Sequence, residues 1–346
     1  MGKTTLARLL FAKRKYSYLN WDVAKDRESI LRQLFPKEKY LIFDEIHKFR
    51  QWRGFIKGLY DTQHKDKQIL VTGSARLDYY RHSGDSLQGR YFYYRLHPLS
   101  VSELAITSQK DLADLLRLGG FPEPFFSDSL KDSKRWSRDY RQRFIQEDVT
   151  SLELSQNLGE MELLLMRLPE LVGSPLSLNA LREDIQVSFA TVKKWLEIFE
   201  RMYSIFRLAP FASPLIRAVK KEQKHYHFDW SLVTDDAARF ENLVACHFLK
   251  LVHYEQDTGG RNLELKYFRD TDGREVDFII TEDNKMIMAA EVKLKARDIS
   301  KNLLYLKRKF PQVKAYQIHS ELKKEYHAKE GIRLLPITSE ELQQLR

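Results

Sequence analysis

The chain has 346 residues, 43% of them hydrophobic and 31% charged, which is the composition of a globular protein of two or three domains. Its 58 basic and 48 acidic residues give a net charge of +10, which suits a polyanionic partner such as nucleic acid. No apolar run is long enough to span a bilayer, and the lone Cys246 excludes an internal disulfide and a cysteine-based zinc site. We therefore expect a cytoplasmic protein that does not enter a membrane.

The opening segment, MGKTTLARLL, fits the second half of a Walker A phosphate-binding loop. Such a loop needs a first glycine, four further residues and then Gly-Lys-[Ser/Thr], so that backbone N–H groups surround the phosphates and the lysine bridges them. Gly2, Lys3, Thr4 and Thr5 match the end of this motif, and the apolar spacing after them predicts the helix that follows such a loop. Because the strand and glycine that normally precede it are missing, we expect that Met1 is not the natural start of the protein.

The stretch YLIFDEIHKF, residues 40–49, contains an uninterrupted apolar run that ends in two acids. The run predicts a short strand buried on both faces, with Asp44 and Glu45 at its carboxyl end. Such a strand is either a Walker B strand or a buried strand followed by an N-capping aspartate. Its position downstream of Lys3 and Thr4, with a strand-like segment between, favours Walker B. We therefore predict that Thr4 and Asp44 hold Mg²⁺ beside bound ATP and that Glu45 orients the attacking water.

Helix-like and strand-like segments alternate through residues 1–105 and predict an α/β domain with a doubly wound parallel sheet that lacks its first strand. Ser74 follows the strand QILVTG, where a sensor residue would contact a phosphate; the alternative is an N-cap of the next helix. Arg90, in SLQGR, lies where an arginine could reach a phosphate within the chain or across a subunit interface; the alternative is a solvated surface arginine. We place both among the predicted ATP-binding residues.

A series of short motifs resembles a family of bacterial and archaeal AAA-like P-loop ATP-binding proteins. The motifs, in chain order, are GKTTL, YLIFDEIHK, VTGSARL, SLQGR, HPLSVSEL and GGFPEP. The resemblance covers nearly the whole chain, and its specificity comes from the order of the motifs rather than from any one of them. It implies an ATP-binding domain followed by a winged-helix module and a nuclease-like C-terminal domain of unknown function.

The middle of the chain is predicted to be mainly helical. Residues 106–160 read as a helical linker or lid, whose arginine-rich segment RWSRDYRQRF favours a solvated helix face over a nucleic-acid contact. Residues 161–235 contain short helical segments followed by two strand-like ones, which predicts a winged helix-turn-helix. In a DNA-binding version the last helix enters the major groove and the basic hairpin contacts phosphate; otherwise the module is a lid or packing domain. The predicted contacts to double-stranded DNA are Lys193, Lys194, Lys220, Lys221 and Lys224.

Residues 236–346 carry a second group of acids. Glu241 lies near the start of a predicted helix, whereas Asp277 lies in one predicted strand, and Glu291 and Lys293 lie in the next. Alternate residues of a strand share a face, so a three-residue loop between these strands would set the aspartate opposite the glutamate. A two-residue loop would put them on opposite faces. The first arrangement clusters the carboxylates.

An aspartate followed by Glu-x-Lys on the adjacent strand is the pattern of the PD-(D/E)xK nucleases. In that chemistry Glu241, Asp277 and Glu291 would hold Mg²⁺ through carboxylate oxygens. Lys293 would position or deprotonate the water that attacks a phosphodiester, and Glu275 would complete the site. The alternative is a polar sheet face with ordinary pairing of glutamate and lysine.

These parts together predict an Mg²⁺-dependent ATPase that couples its nucleotide state to a winged helix and a nuclease-like domain acting on DNA. Two alternatives stay open at this point. One is an Mg²⁺-dependent DNA endonuclease gated by ATP, and the other is a non-catalytic nucleotide switch that binds DNA or a protein partner. A homo-oligomer is compatible with all three, because Arg90 could act across a subunit interface.

Overall fold

The computed structural model describes most of the chain, with gaps between the described ranges. The described residues are 2–34, 37–63, 65–73, 87, 89–145, 157–211, 222–295, 298–321 and 325–343. The predicted site residues Ser74, Lys220 and Lys221 lie outside them. The chain divides into two compact units, Met1–Leu96 and His97–Arg346, which we call unit 1 and unit 2. Among the described residues, no helix combines the length and the apolar composition that crossing a bilayer would require.

Unit 1 alternates helices and strands along the chain. The described helices are α1 (Lys3–Leu10), α2 (Ala24–Leu31) and α3 (Trp52–Gln63), and the strands are β1 (Tyr16–Asn20), β2 (Tyr40–Asp44) and β3 (Gln68–Thr72). The strands pair in the order β1-β2-β3 and all run parallel, which confirms the predicted α/β organisation with a parallel sheet. Their register aligns Asn20, Asp44 and Thr72, so the three strands end at one edge.

Strand β2 forms the centre of the unit 1 core. Leu41 and Phe43 are fully buried and pack with Ile30 of α2 and Ile56 of α3. A strand that is buried in this way can place a polar residue only where its apolar run ends. Burial of β2 therefore fixes the position at which its last residue, Asp44, leaves the core.

Unit 2 begins with helices. The described ones are α4 (Gln109–Leu118), α5 (Pro122–Phe126), α6 (Leu130–Arg143), α7 (Leu158–Arg167), α8 (Leu178–Ile185) and α9 (Phe189–Arg201). Strands β4 (Ile205–Leu208) and β5 (Lys224–His227) follow as an antiparallel two-stranded ribbon. The long helix α10 (Asp236–Gly259) then leads into a mixed sheet.

The mixed sheet of unit 2 contains six strands in the part of the chain that the structure describes. They are β6 (Leu263–Arg269), β7 (Glu275–Glu282), β8 (Lys285–Lys293), β9 (Lys314–His319), β10 (Tyr326–His327) and β11 (Ile332–Pro336). Helix α11 (Lys301–Lys309) precedes β9, and α12 (Glu340–Gln343) follows β11. The strand order is β10-β11-β9-β8-β7-β6. Strands β6, β7 and β8 are antiparallel neighbours, whereas β8 and β11 both run parallel to β9.

Helices α10 and α11 supply the apolar side chains that cover this sheet. Leu303 and Leu306 of α11 pack with Ile279 of β7 in one buried cluster. Phe248 of α10 contacts β7 through Phe278, with the two ring centroids 5.6 Å apart. These contacts fix β7, and the acids that it carries, between the two helices and the neighbouring strands.

The connection between β7 and β8 combines a tight turn with a bulge. Asp283 and Asn284 adopt left-handed conformations, with φ of 47° and 63°, as in the two-residue turns of β-hairpins. The register also skips Ile287 of β8, so this strand carries one extra residue relative to β7. The loop therefore has two residues, but the bulge shifts the register by one residue, as a third loop residue would have done.

This bulge decides which acids oppose each other. Beyond it Phe278 pairs with Ala290, and the next pair along the same register is Asp277 with Glu291. On the sequence pattern alone, a two-residue loop places these two acids on opposite faces of the sheet. Because the bulge shifts the register by one residue, the two carboxylates lie on the same face after all.

Gly120 lies against a buried indole ring in unit 2. Trp230 is 1% exposed, and its Nε1 donates a hydrogen bond of 2.9 Å to the Leu115 carbonyl. A Cβ atom on Gly120 would collide with this ring and would lie 2.8 Å from Cβ of Pro98 and 2.9 Å from the Leu99 carbonyl oxygen. The ring cannot retreat without breaking its hydrogen bond, so this position accommodates only glycine.

We expect Gly120→Ala to lower the free energy of unfolding by about 1–3 kcal/mol, the usual cost of overpacking a filled core. The matched control is Gly159→Ala, at the start of α7, where the surroundings of the added methyl group are open. Alanine there should be neutral or should stabilise the helix by up to ~1 kcal/mol. Denaturant unfolding measures both variants, and equal stability of the two would contradict the packing argument.

Strand β5 also buries two histidines. His225 and His227 have no exposed surface, and their ring centroids lie 5.7 Å apart. The Nε2 atom of His225 lies 2.8 Å from the Leu168 carbonyl oxygen, which fits N–H donation. Burial, opposed by this hydrogen bond and assisted by the charge of Arg207, lowers the pKa of His225 to about 4. His225 is therefore neutral at pH 7.

Protonation of His225 is easier in the unfolded chain, where the pKa is near 6.5. The contribution of neutral His225 to the free energy of unfolding is therefore complete above pH 6.5. It is lost as the pH falls towards 4, by about 3 kcal/mol in total. We expect His225→Gln to be less stable than wild type at pH 7 and to show a smaller loss of stability on acidification. Unfolding measured across this pH range tests it. His327→Gln, on the exposed strand β10, should follow the wild-type profile, whereas an unchanged slope in His225→Gln would assign the acid sensitivity to another group.

Candidate functional site

Hydroxyl groups from three elements of unit 1 converge on the carboxylate of Asp44. Thr4 Oγ1, in the first turn of α1, donates to Asp44 Oδ2 at 2.7 Å, and the Tyr18 hydroxyl of β1 donates to the same oxygen at 2.6 Å. Thr72 Oγ1, at the end of β3, donates to Asp44 Oδ1 at 2.6 Å. The aligned carboxyl ends of the parallel strands produce this cluster, because Asp44 and Thr72 are register partners.

These donors keep Asp44 ionised. Burial acts to raise the pKa of Asp44, but the hydrogen bonds from Thr72, Tyr18 and Thr4 outweigh it, so the pKa is lowered. Asp44 is thus a buried carboxylate whose charge is stabilised by neutral hydroxyl groups. A hard cation such as Mg²⁺ would find here an ionised oxygen ligand with a threonine hydroxyl beside it.

The start of α1 has the features of an anion-binding helix terminus. Gly2 is the N-cap residue in a left-handed conformation with φ of 72°, and no side chain caps the first turn. Lys3 and Thr4 begin the helix, Thr5 is exposed, and the first turn contains no acid. The charge of Lys3 acts on Glu45 and opposes the rise in the pKa of that carboxyl group that burial causes. The N–H groups of a first helical turn have no partner within the helix, so with Lys3 they favour phosphate oxygens.

Glu45 leaves β2 in a left-handed conformation with φ of 55°, which is uncommon for a residue other than glycine. Its backbone N–H donates to the Thr72 carbonyl at 3.1 Å. Its carboxylate lies 3.7 Å from Nζ of Lys48 and 3.6 Å from Nε2 of the buried His47. Burial raises the pKa of Glu45, and Lys48 opposes that shift. A raised pKa suits a carboxylate that takes a proton from water.

Two further residues, Ser74 and Arg90, were predicted to contact the nucleotide. Arg90 is engaged by α3, because its Nε donates to Asp61 Oδ1 at 2.8 Å, and a phosphate contact would require this ion pair to open. Ser74 lies outside the described residues. Sequence reasoning missed Tyr18 and Thr72. The signal for Thr72 was its place as the last residue of a strand parallel to β2, since such strands end at a common edge.

The acids of unit 2 meet at the buried ammonium group of Lys224. Its Nζ lies 2.5 Å from Glu275 Oε1 and 3.7 Å from both Glu241 Oε1 and Asp277 Oδ1. The second oxygen of Asp277 accepts a hydrogen bond of 2.8 Å from the Val292 N–H. Strands β5 and β7 and helix α10 therefore contribute to one cluster.

The structure contradicts the prediction that Lys224 contacts DNA. Every position of β5 is buried, and the side chain of Lys224 is 1% exposed and paired with carboxylates. The prediction failed because a lysine of a hairpin was assumed to face solvent. Lys193 and Lys194, in contrast, are exposed on α9, as a DNA contact requires. Lys220 and Lys221 lie outside the described residues.

Glu291 and Lys293 lie beside this cluster at the end of β8. Glu291 is 5% exposed, and its Oε1 lies 2.8 Å from Nζ of Lys293. Its Oε2 is buried and has no hydrogen-bond partner among the described residues. Burial raises the pKa of Glu291 to about 7, the charge of Asp277 adds to the shift, and Lys293 opposes it.

Glu241 accepts a hydrogen bond and has a glycine packed against its carboxylate. The Tyr226 hydroxyl donates to its Oε1 at 2.7 Å. Gly173, with φ of 80°, approaches so closely that an added Cβ atom would lie 3.2 Å from both carboxylate oxygens. Burial raises the pKa of Glu241 to about 8, with Asp277 adding to the shift and Lys224 opposing it. The predicted group of acids is therefore brought together, but it is short of positive charge.

The predicted metal site of Glu241, Asp277 and Glu291 is not formed in the expected way. Within the described ranges, no three or more His, Cys, Asp and Glu side chains are arranged to hold a metal ion. The physical reason lies in Lys224, whose ammonium is within 3.7 Å of both Glu241 and Asp277 and takes the place expected for the ion. The sequence carries little signal of this, because the other residues of β5 are two histidines and a tyrosine, which do not mark the strand as buried.

Comparison with known proteins divides the chain into three matched segments. Residues 1–105 match a family described as an AAA domain. Residues 109–241 match a domain of unknown function, DUF8612, and residues 237–339 match another, DUF4143. The first match agrees with the parallel α/β sheet of unit 1 and associates it with nucleotide binding. The other two descriptions state no function.

The chain is also similar to an uncharacterized protein of Methanocaldococcus jannaschii, with 25% identity over 276 residues. The aligned segment covers 72% of this chain and 60% of that protein, so the chain spans about 60% of the length of its relative. No solved structure matches the chain.

Proposed function

We propose that this protein binds ATP and acts as an Mg²⁺-dependent ATPase, and that its nucleotide state is coupled to a winged-helix and nuclease-like part in unit 2. The observation that carries the proposal is the hydrogen bond of 2.7 Å between Thr4 Oγ1 and Asp44 Oδ2. It joins the helix that begins after Gly2 to the acidic end of a buried parallel strand, which is how Walker A and Walker B residues meet around Mg²⁺. The AAA-domain match over residues 1–105 supports the same assignment.

The residues at this edge fit a magnesium nucleotide. Lys3 and the N-terminus of α1 would hold phosphate oxygens, and Thr4 with the ionised Asp44 would hold Mg²⁺, which prefers oxygen ligands. Bound Mg²⁺ would neutralise negative charge on the phosphates. Thr72 holds Asp44 Oδ1, so that Oδ2 is presented to Thr4 at the start of the helix.

Glu45 is the residue that we assign to the attacking water. Its hydrogen bond to Thr72 and its left-handed backbone fix where it stands relative to Asp44. Burial moves its pKa towards the range in which a carboxylate can accept a proton from water, and the ammonium group of Lys48, 3.7 Å away, limits this shift. These features support a general-base role in hydrolysis.

Two substitutions test the ATPase assignment. Lys3→Ala removes the ammonium that would bind phosphate, and Asp44→Asn removes the charge that would hold Mg²⁺ while keeping the size of the side chain. We expect each to lower ATP turnover by about 10²–10³-fold, the usual effect of removing one group that stabilises developing charge. Phosphate release at saturating ATP and Mg²⁺ measures turnover, and a fluorescent ATP analogue measures binding.

The matched control is Lys25→Ala, which removes an exposed lysine of α2 and should leave turnover unchanged. Turnover that persists in Lys3→Ala would refute the ATPase assignment. ATP binding by the wild type without any turnover would favour a non-catalytic nucleotide switch instead.

A second candidate function, Mg²⁺-dependent cleavage of DNA, is favoured by the geometry of unit 2. Asp277 and Glu291 come to oppose each other on adjacent strands, and Glu291 Oε1 lies 2.8 Å from Nζ of Lys293. Glu241, on the preceding helix, joins the same cluster through Lys224. This is the arrangement of an aspartate and Glu-x-Lys in which the carboxylates would hold Mg²⁺ and the lysine would position or deprotonate a water.

The preceding part of unit 2 supports a winged-helix assignment. Helices α7, α8 and α9 are followed by the antiparallel ribbon of β4 and β5, in the order of a winged helix-turn-helix. Lys193 and Lys194 are exposed on α9, the helix that would enter the major groove of double-stranded DNA. Because β5 is buried, we propose α9 rather than this strand as the DNA contact.

Nicking of supercoiled plasmid with Mg²⁺, with and without ATP, tests the second candidate. We expect Asp277→Asn/Glu291→Gln to lower nicking at least about 100-fold, because both carboxylates that would hold the ion lose their charge. Glu264→Gln, an exposed carboxylate of β6, is the control and should nick as wild type does. If the double variant nicks as fast as the wild type, or if the wild type does not nick at all, this function is contradicted. Neither result bears on the ATPase proposal.

A further inference from the structure

Lys224 is an enclosed cation. It is 1% exposed, and its Nζ lies between 2.5 and 3.7 Å from oxygens of Glu275, Glu241 and Asp277. The same atom lies 5.5 Å from the centre of the Tyr267 ring. A buried ammonium is stable only where negative charge surrounds it.

Lys224 faces three acids, and Arg269 adds a second, partly exposed cation, with its Nε 3.9 Å from Glu275 Oε2. Glu241 also accepts a hydrogen bond of 2.7 Å from the Tyr226 hydroxyl. Glu291, on the neighbouring strand, keeps Oε2 buried without a hydrogen-bond partner in the described part of the chain. Removal of the ammonium would leave Glu275 and Asp277 without a buried cation beside them. The cluster therefore requires a positive charge at this position.

The ammonium and the acids come from different elements. Alternate residues of a strand share a face, and in β5 both Lys224 and Tyr226 point to the acids, whereas His225 points to the Leu168 carbonyl. The acids belong to α10 and β7. Strand β5 thus supplies the cation, and other parts of unit 2 supply the ligands.

We propose that Lys224 is an internal cation that occupies a divalent-cation site formed by Glu241, Glu275 and Asp277, and that it excludes the metal while β5 remains in place. An ammonium and a divalent cation both select carboxylate oxygens, so they compete for one position. The unpaired Oε2 of Glu291, opposite Asp277, is a further oxygen available to an entering ion. This inference rests on the proposed Mg²⁺ site at Asp277 and Glu291. It concerns which cation occupies the acids rather than whether the protein cleaves DNA.

Lys224→Met tests the proposal, because methionine fills much of the same space without a charge. Mn²⁺, a paramagnetic substitute for Mg²⁺, is titrated into the full chain without nucleotide, and the free ion is measured by electron paramagnetic resonance. We expect the variant to bind one additional Mn²⁺ with an affinity at least about tenfold above that of wild type. Lys266→Met removes a lysine of β6 that pairs with Glu264, and it should bind Mn²⁺ as wild type does.

A further substitution locates the added ion. In Lys224→Met/Asp277→Asn the gain in Mn²⁺ affinity should disappear. Equal affinity in wild type and Lys224→Met would overturn the proposal, and so would a gain that survives Asp277→Asn. If Lys224→Met does not fold, Lys224→Gln replaces it, because this variant removes the positive charge, keeps all three acids, and has an amide group that can donate hydrogen bonds to them. The same results then support or overturn the proposal.

The Mn²⁺ titration and the nicking assay fail independently. If Lys224→Met gains Mn²⁺ while wild-type protein does not nick DNA, the nuclease proposal falls and the assignment of Lys224 stands. If Asp277→Asn/Glu291→Gln abolishes nicking while Lys224→Met gains no Mn²⁺, the nuclease proposal stands and Lys224 is not an exchangeable cation.

Discussion

A carboxylate can be buried only where donors or a cation stabilise its charge, and both candidate sites are built around this constraint. In unit 1 the apolar strand β2 carries Asp44 to the edge of the core, where Thr4, Tyr18 and Thr72 donate to it. The same three hydrogen bonds hold the start of α1 and the polar ends of β1 and β3 at one place. The charge of Asp44 therefore organises the residues that would bind phosphate as well as those that would bind Mg²⁺.

Unit 2 satisfies the constraint with a cation instead of hydroxyl groups. Glu241, Glu275 and Asp277 share the ammonium of Lys224, whose side chain is 1% exposed. With Arg269 beside Glu275 and Lys293 beside Glu291, three cations face four acids. Burial and the charge of Asp277 therefore raise the pKa of both Glu241 and Glu291. The deficit of positive charge is a property of the folded cluster, since Glu241 and Glu291 are distant in sequence from the pair on β7.

The sequence predicted the structure best where one pattern dominates a segment. The apolar run before Asp44 is compatible only with a buried strand, so both β2 and the place of its acid followed from it. Thr72 was missed because the nearby polar residue Ser74 was chosen as the predicted phosphate contact. Only the strand register shows which residue hydrogen-bonds to Asp44. Lys224 was assigned to solvent because its acidic partners are distant in sequence. The bulge at Ile287, which sets the acids of β7 and β8 face to face, leaves no mark in the residue pattern.

The two sites differ in what a metal ion must displace to enter. The three side chains that donate to Asp44 are neutral, so none of them is a cation that an entering Mg²⁺ would have to replace. The acids of unit 2 already hold Lys224, so a metal there must first replace an ammonium that β5 carries. On the functions that we propose, Mg²⁺ with ATP would meet neutral donors at Asp44, whereas a metal among the acids of unit 2 would have to displace the ammonium group of Lys224.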